Sequence, residues 1–91
     1  MERKEVEKVV KETIFEKMGE FTGLNHAAEI NNEDDLETDM GMDLLDFIEV
    51  VMGIEKKMDI RIPDDVFGDK PIDELTVGIF VDMLYDWVKG K

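Results

Sequence analysis

The sequence predicts an all-α fold of three main helices and one short helical turn, with a long connection after the first helix. Three observations carry that expectation. Apolar residues recur at three- and four-residue spacing in three separate stretches, which is the signature of helices with one buried side. No stretch alternates convincingly with the period of two that a half-buried strand needs. The 91 residues include no cysteine, so a single domain held by its hydrophobic core alone is expected, near the lower size at which that suffices.

Taken in order, Val6, Val9, Val10, Ile14 and Met18 define one side of a first helix that begins near Glu2, and Gly19 is its expected stop. A connection rich in Asn, Asp, Glu and Gly follows from Gly19 to about Asp43, broken by a short turn at His26-Ala27-Ala28-Glu29-Ile30. Loops of that length need anchors. Phe21, Leu24, Ile30 and Leu36 are spaced to reach the core. The second helix is expected to start at Asp43, whose carboxylate is suited to accept from the first free N–H groups, with Asp46 supporting the cap. It runs to about Met58 and ends at Ile60-Arg61-Ile62-Pro63, because the residue before proline avoids helical angles. Asp64 to Phe67 is expected to form a single helical turn before the Gly68-Asp69-Lys70-Pro71 break. A last helix, capped by Thr76, places Val77, Phe80, Leu84, Trp87 and Val88 on one face before Lys89-Gly90-Lys91 frays.

The second helix carries two apolar stripes. Phe47, Val50, Val51, Ile54 and Met58 follow the spacing of a core-facing helix. Leu45, Ile48 and Met52 form another, roughly 130° around the axis at 100° per residue, with Glu49, Glu55 and Asp59 beside or within it. A bundle helix needs only one such stripe. Either the second packs under the long loop, or it is an exposed apolar patch fringed by acids, suited to a partner with basic residues around an apolar socket.

The formal net charge of -13 sets a potential that repels phosphate backbones and anionic membranes, which argues against nucleic acid as a partner and favours proteins with basic patches. Apolar runs such as Val50-Val51-Met52 are far too short to span a bilayer, so no membrane insertion is expected, and a cytoplasmic location fits the absence of cysteine. Catalysis has little to work with. Serine and cysteine are missing, His26 is the only histidine, and neighbouring acids such as Asp34-Asp35 and Asp64-Asp65 diverge from each other on the backbone. No designed metal site is expected either, since an EF-hand register with Gly41 at the sixth position puts Leu36 where a carboxylate is required. Diffuse attraction of divalent cations to the acids is the most the composition implies.

From Asp39 to Asp64 the run Asp-Met-Gly-Met-Asp-Leu-Leu-Asp-Phe-Ile-Glu-Val-Val-Met-Gly-Ile-Glu-Lys-Lys-Met-Asp-Ile-Arg-Ile-Pro-Asp resembles the acyl carrier protein pattern D-L-G-x-D-S-L-D-x-V-E-[LV]-V-M-x-[LI]-E-x-x-[FM]-x-[IV]-x-I-P-D. The segment from Thr76 through Val88 fits it loosely, and the first helix and loop agree in layout only. The resemblance implies the family's four-helix bundle, and a role in presenting thioester-bound acyl groups to fatty-acid or polyketide-type biosynthetic enzymes without being an enzyme itself. It assigns Asp43, Asp46, Glu49 and Glu55 to partner recognition and Leu45 and Met52 to the partner-facing apolar positions, beside Ile48 of the second stripe. Val51, Ile54 and Met58 are candidate walls for an acyl tail. Lys56 and Lys57 depart from the acids usual there.

At the start of the second helix the family has a serine joined through a phosphodiester to 4'-phosphopantetheine. An anion there meets unpaired N–H groups and the positive end of the helix dipole. This chain has Leu44 in that position and no serine anywhere. Thr13, Thr22, Thr38 and Thr76 lie outside the motif. No prosthetic group is therefore expected on the chain as written, and a phosphopantetheinyl transferase becomes a partner only if serine is restored. Three readings stay open at this point: a carrier whose serine has been substituted, a homologue that keeps docking or regulatory function without cargo, and a coincidental likeness.

Overall fold

The computed structural model describes residues 2–67 and 70–90. Its three α-helices are α1 (Arg3–Thr22), α2 (Leu44–Met58) and α3 (Val77–Lys89). Short 3-10 turns lie at Ala27–Glu29, Asp64–Phe67 and Ile72–Glu74. No strand occurs among the described residues, and the one isolated bridge joins Asp35 to Thr76. The all-α expectation thus holds, with the short fourth helix present as the 3-10 turn at Asp64–Phe67; the turn at Ile72–Glu74 had no counterpart in the sequence reading. Gly68 and Asp69 of the expected break, and Lys91 of the expected frayed end, lie outside the described residues.

α1 packs against both other helices. Val6, Val10 and Ile14 meet α2 and α3 residues Val50, Ile54, Val77, Phe80, Val81 and Leu84 in one buried cluster. The rings of Phe47, Phe67 and Phe80 close one side of it, with centroids 5.5 Å apart for Phe47–Phe67 and 4.8 Å for Phe67–Phe80. At the rim Arg3 ties α1 to α3, donating to the Asp82 carboxylate at 2.7 Å.

Gly19 does not stop α1. A lone glycine costs a helix only about 1 kcal/mol relative to alanine, and here the Phe15 ring stands 3.4 Å from where a Cβ would be. The helix continues to Thr22, and Gly23 ends it at a left-handed φ of 72°, its N–H donating to the Gly19 carbonyl. This extra turn puts Phe21 on the helix instead of in the loop. Phe21 is consequently not the core anchor expected of it, and its ring is largely exposed.

The loop is anchored by other means. Ile30, Leu36, Met40 and Met42 are all buried, each contributing about 1.5–3 kcal/mol of apolar burial, while Leu24 packs at the margin. Backbone bonds then fasten the loop to the entrance of α3: Leu36 N–H to Leu75 O at 3.0 Å, Val77 N–H to Asp34 O at 2.9 Å and Gly78 N–H to Asn32 O at 2.9 Å. The loop therefore delivers residues 39–43 to a fixed place beside α1.

α2 starts where its capping residues dictate. The Asp43 carboxylate accepts from Asp46 N–H at 2.8 Å and the Asp46 carboxylate accepts from Asp43 N–H at 3.2 Å, a reciprocal capping box. It ends at Met58, as expected, and Asp59 is its C-cap before the Ile60–Pro63 segment. Asp59 adopts the left-handed conformation at φ 55°, which a short polar side chain tolerates better than most. α3 begins as expected, with the Thr76 hydroxyl accepting from Ile79 N–H at 3.2 Å.

Candidate functional site

The outward side of α2 carries the residues singled out in the sequence. Leu44, Leu45, Ile48 and Met52 are 66%, 65%, 47% and 60% exposed. The second stripe therefore does not pack under the long loop. It is a surface patch, and Leu44 belongs to it, one turn from Ile48 and two from Met52. On the opposite side of the same helix Val50 and Ile54 are 1% and 0% exposed.

Phe21 joins the patch from α1. Its ring lies over Gly41, whose φ is 73°, and a Cβ built on Gly41 would clash with the edge of the ring. Only glycine satisfies both the left-handed backbone and the close approach. The glycine of the Asp39–Asp46 run thus seats an aromatic side chain next to the start of α2, a contact hidden from the sequence because Gly19 is not the end of α1.

The four acids read as partner-facing are all engaged within the chain. Asp43 and Asp46 cap α2, and the Asp46 N–H, first among several donors, holds the Asp43 carboxyl below its ordinary range. Lys17 of α1 pairs with Glu49 and lies 3.9 Å from Asp46. The Glu49 carboxylate is the main reason that the Lys17 ammonium is held above its usual pKa. Glu55 accepts from Ile62 N–H at 2.7 Å, fastening the chain that returns after α2. Lys57, the departure noted above, is paired with Glu16 of α1 at 2.7 Å.

Beside the patch a cleft of about 280 Å³ opens between α2 and the returning chain. Val51, Ile48, Met52 and Phe47 form its helical wall, and Arg61, Ile62 and Phe67 face them. Of the residues named as candidate tail walls, Val51 lines this cleft. Ile54 is in the core and Met58 is partly buried against it. A further cavity lies along α1, among Lys4, Lys8, Lys11, Ala27 and Ala28, on different residues from the patch.

At the start of α2, where an anion would meet the free N–H groups, Leu44 offers no oxygen. None of the four threonine hydroxyls replaces it. Thr13 donates to Val9 O at 2.7 Å and Thr22 to Gly19 O at 3.1 Å, Thr76 caps α3, and Thr38 lies in the loop before the motif. Among the described residues no group of three or more His, Asp or Glu side chains is arranged to hold a metal ion, and no helix is long and apolar enough to cross a membrane.

An acid-capped second helix, a fixed loop before it and an apolar stripe along it give the layout of a helical phosphopantetheine attachment domain. The sequence model of the phosphopantetheine attachment site family matches residues 12–84, and the chain belongs to that family. Its members carry 4'-phosphopantetheine and are not enzymes. Among curated proteins the chain is similar to an acyl carrier protein of Trieres chinensis, with 40% identity over 43 residues, which is 47% of this chain and 54% of that protein. The match spans about half the length of that relative.

Proposed function

We propose that this domain has the architecture of an acyl-presenting carrier, that α2 docks its outward face on fatty-acid or polyketide-type biosynthetic enzymes in the cytoplasm, and that the chain as written takes no phosphopantetheine. The carrying observation is the pairing at position 44 of an attachment-site environment with a side chain that has no hydroxyl. Asp43 and Asp46 still cap the helix, Gly41 still turns the loop toward it, and Leu44 stands exposed on its first turn. Asp43, Leu45, Asp46, Ile48, Glu49, Met52 and Glu55 are the docking residues in this reading, and the cleft walled by Val51 is where a short tail would lie. At about 280 Å³ it is just below the roughly 300–1,000 Å³ of sites for drug-sized ligands.

Intact-mass measurement after incubation with coenzyme A and a broad-specificity phosphopantetheinyl transferase tests this reading. The chain itself should keep its mass, and Leu44→Ser should gain one phosphopantetheine. A folded Leu44→Ser that stays unmodified would remove most support for the carrier architecture.

The exposure of Leu44 within an apolar stripe favours a second reading, in which the domain docks on such enzymes without cargo as a regulatory subunit. It predicts that reversing the charge of Asp46 or Glu49 weakens retention on a basic partner enzyme at unchanged helicity. Equal retention would count against it.

A further inference from the structure

The acids of the α2 face do not wait for a partner unpaired. Lys17 lies on the part of α1 nearest the start of α2, pairs with Glu49 and stands 3.9 Å from Asp46. One turn further along α1, Phe21 covers Gly41 and leaves most of its ring in solvent. The end of α1 thus supplies both a cation and an aromatic side chain to the edge of the patch, the two kinds of group that a partner with a basic-rimmed apolar socket would bring.

The geometry points to Lys17 as an internal stand-in for a partner's cation: the α2 face accepts a protein whose basic residue displaces Lys17 from Glu49 and Asp46 while an apolar socket covers Phe21, Leu44, Leu45, Ile48 and Met52. This rests on the docking reading of α2 and adds its selectivity. One lysine faces the three carboxylates Asp43, Asp46 and Glu49, so the rim stays negative and still attracts cations. A second copy of this chain is disfavoured as the occupant, because two chains of charge -13 would bring acid against acid around the contact. Displacement also sets a threshold. A partner with cations but no socket merely exchanges one exposed ion pair for another, which has little net effect in water. A partner with a socket but no cation leaves Lys17 in place and gains only the apolar contact. Both features together are selected.

Calorimetric titration with a synthetic amphipathic helical peptide, bearing a leucine face flanked by lysines, tests this on the folded chain. Lys17→Ala should tighten binding by about two- to fivefold at low salt, Lys17→Arg should leave it at the starting value, and the gain should disappear at high salt. Alanine is the best helix former, so α1 is retained, and circular dichroism verifies it. Unchanged or weaker binding by Lys17→Ala overturns the stand-in role. Ile48→Asp separates the two ideas. If it weakens binding while Lys17→Ala has no effect, the docking reading stands and the role of Lys17 falls. If Ile48→Asp binds as well as the original chain, or if the peptide binds no variant, both fall.

Discussion

The two sides of α2 differ in what their side chains do, although the same fifteen residues supply both. Inward, Val50 and Ile54 lose nearly all contact with water and join α1 to α3. Outward, Leu44, Leu45, Ile48 and Met52 are as apolar but contribute little to that core. Burial of the first set stabilises the fold, whereas the second set gains its apolar free energy only when another surface covers it. Between the two sides lie the acids, and each is tied back to its own chain. The contrast is thus between a side that is buried and a side that is open to solvent.

Substitutions can break or sharpen that contrast. Ile54→Ala should lower the unfolding free energy by about 2–5 kcal/mol in urea titrations, with no charge change on the outward side. Gly41→Ala should follow at about 1–3 kcal/mol, since a positive φ and the Phe21 ring both oppose the new methyl group. Restoring Gly41→Ala by adding Phe21→Ala should recover part of that loss, namely the steric part, which a double-mutant cycle measures. Asp43→Ala should lower Tm by a few degrees, while Asp43→Asn should keep most of the cap. The Asp43 carboxyl is held below its ordinary pKa in the folded chain, so its contribution is fully present above the ordinary aspartate value and is lost as pH falls through the lowered one. Asp43→Asn should therefore flatten that part of the acid-denaturation curve. At the small end, Met52→Asp should change stability by within about 0.5 kcal/mol. A loss as large as that of Ile54→Ala would show that the outward side belongs to the core.

The start of α2 was legible in the sequence because its determinants are local. Asp43 and Asp46 are three residues apart, and the cap needs nothing else. The inward stripe was legible for the same reason, since burial there follows the helical period. Phe21 was misplaced because Gly19, read as a stop, sits inside α1, where the Phe15 ring covers it and Gly23 supplies the actual cap. The Lys17–Glu49 pair joins two helices, so no spacing within either one encodes it. Glu55 has the spacing of a surface acid, yet its carboxylate binds Ile62 N–H on a segment whose path no periodicity encodes. The cleft follows the same rule: Val51 reaches it from a helical stripe that periodicity encodes, while Arg61, Ile62 and Phe67 reach it only because the chain folds back after Asp59.

The exposure of position 44 has an evolutionary consequence. Two of the six leucine codons differ from a serine codon by a single base, and a side chain standing in water on the first turn of a well-capped helix leaves the core indifferent to which of the two it is. On the proposed reading of this position, a lineage could silence or recover an attachment point here without refolding the domain, and the remaining residues of the surface are free to be selected for whichever use the current codon permits.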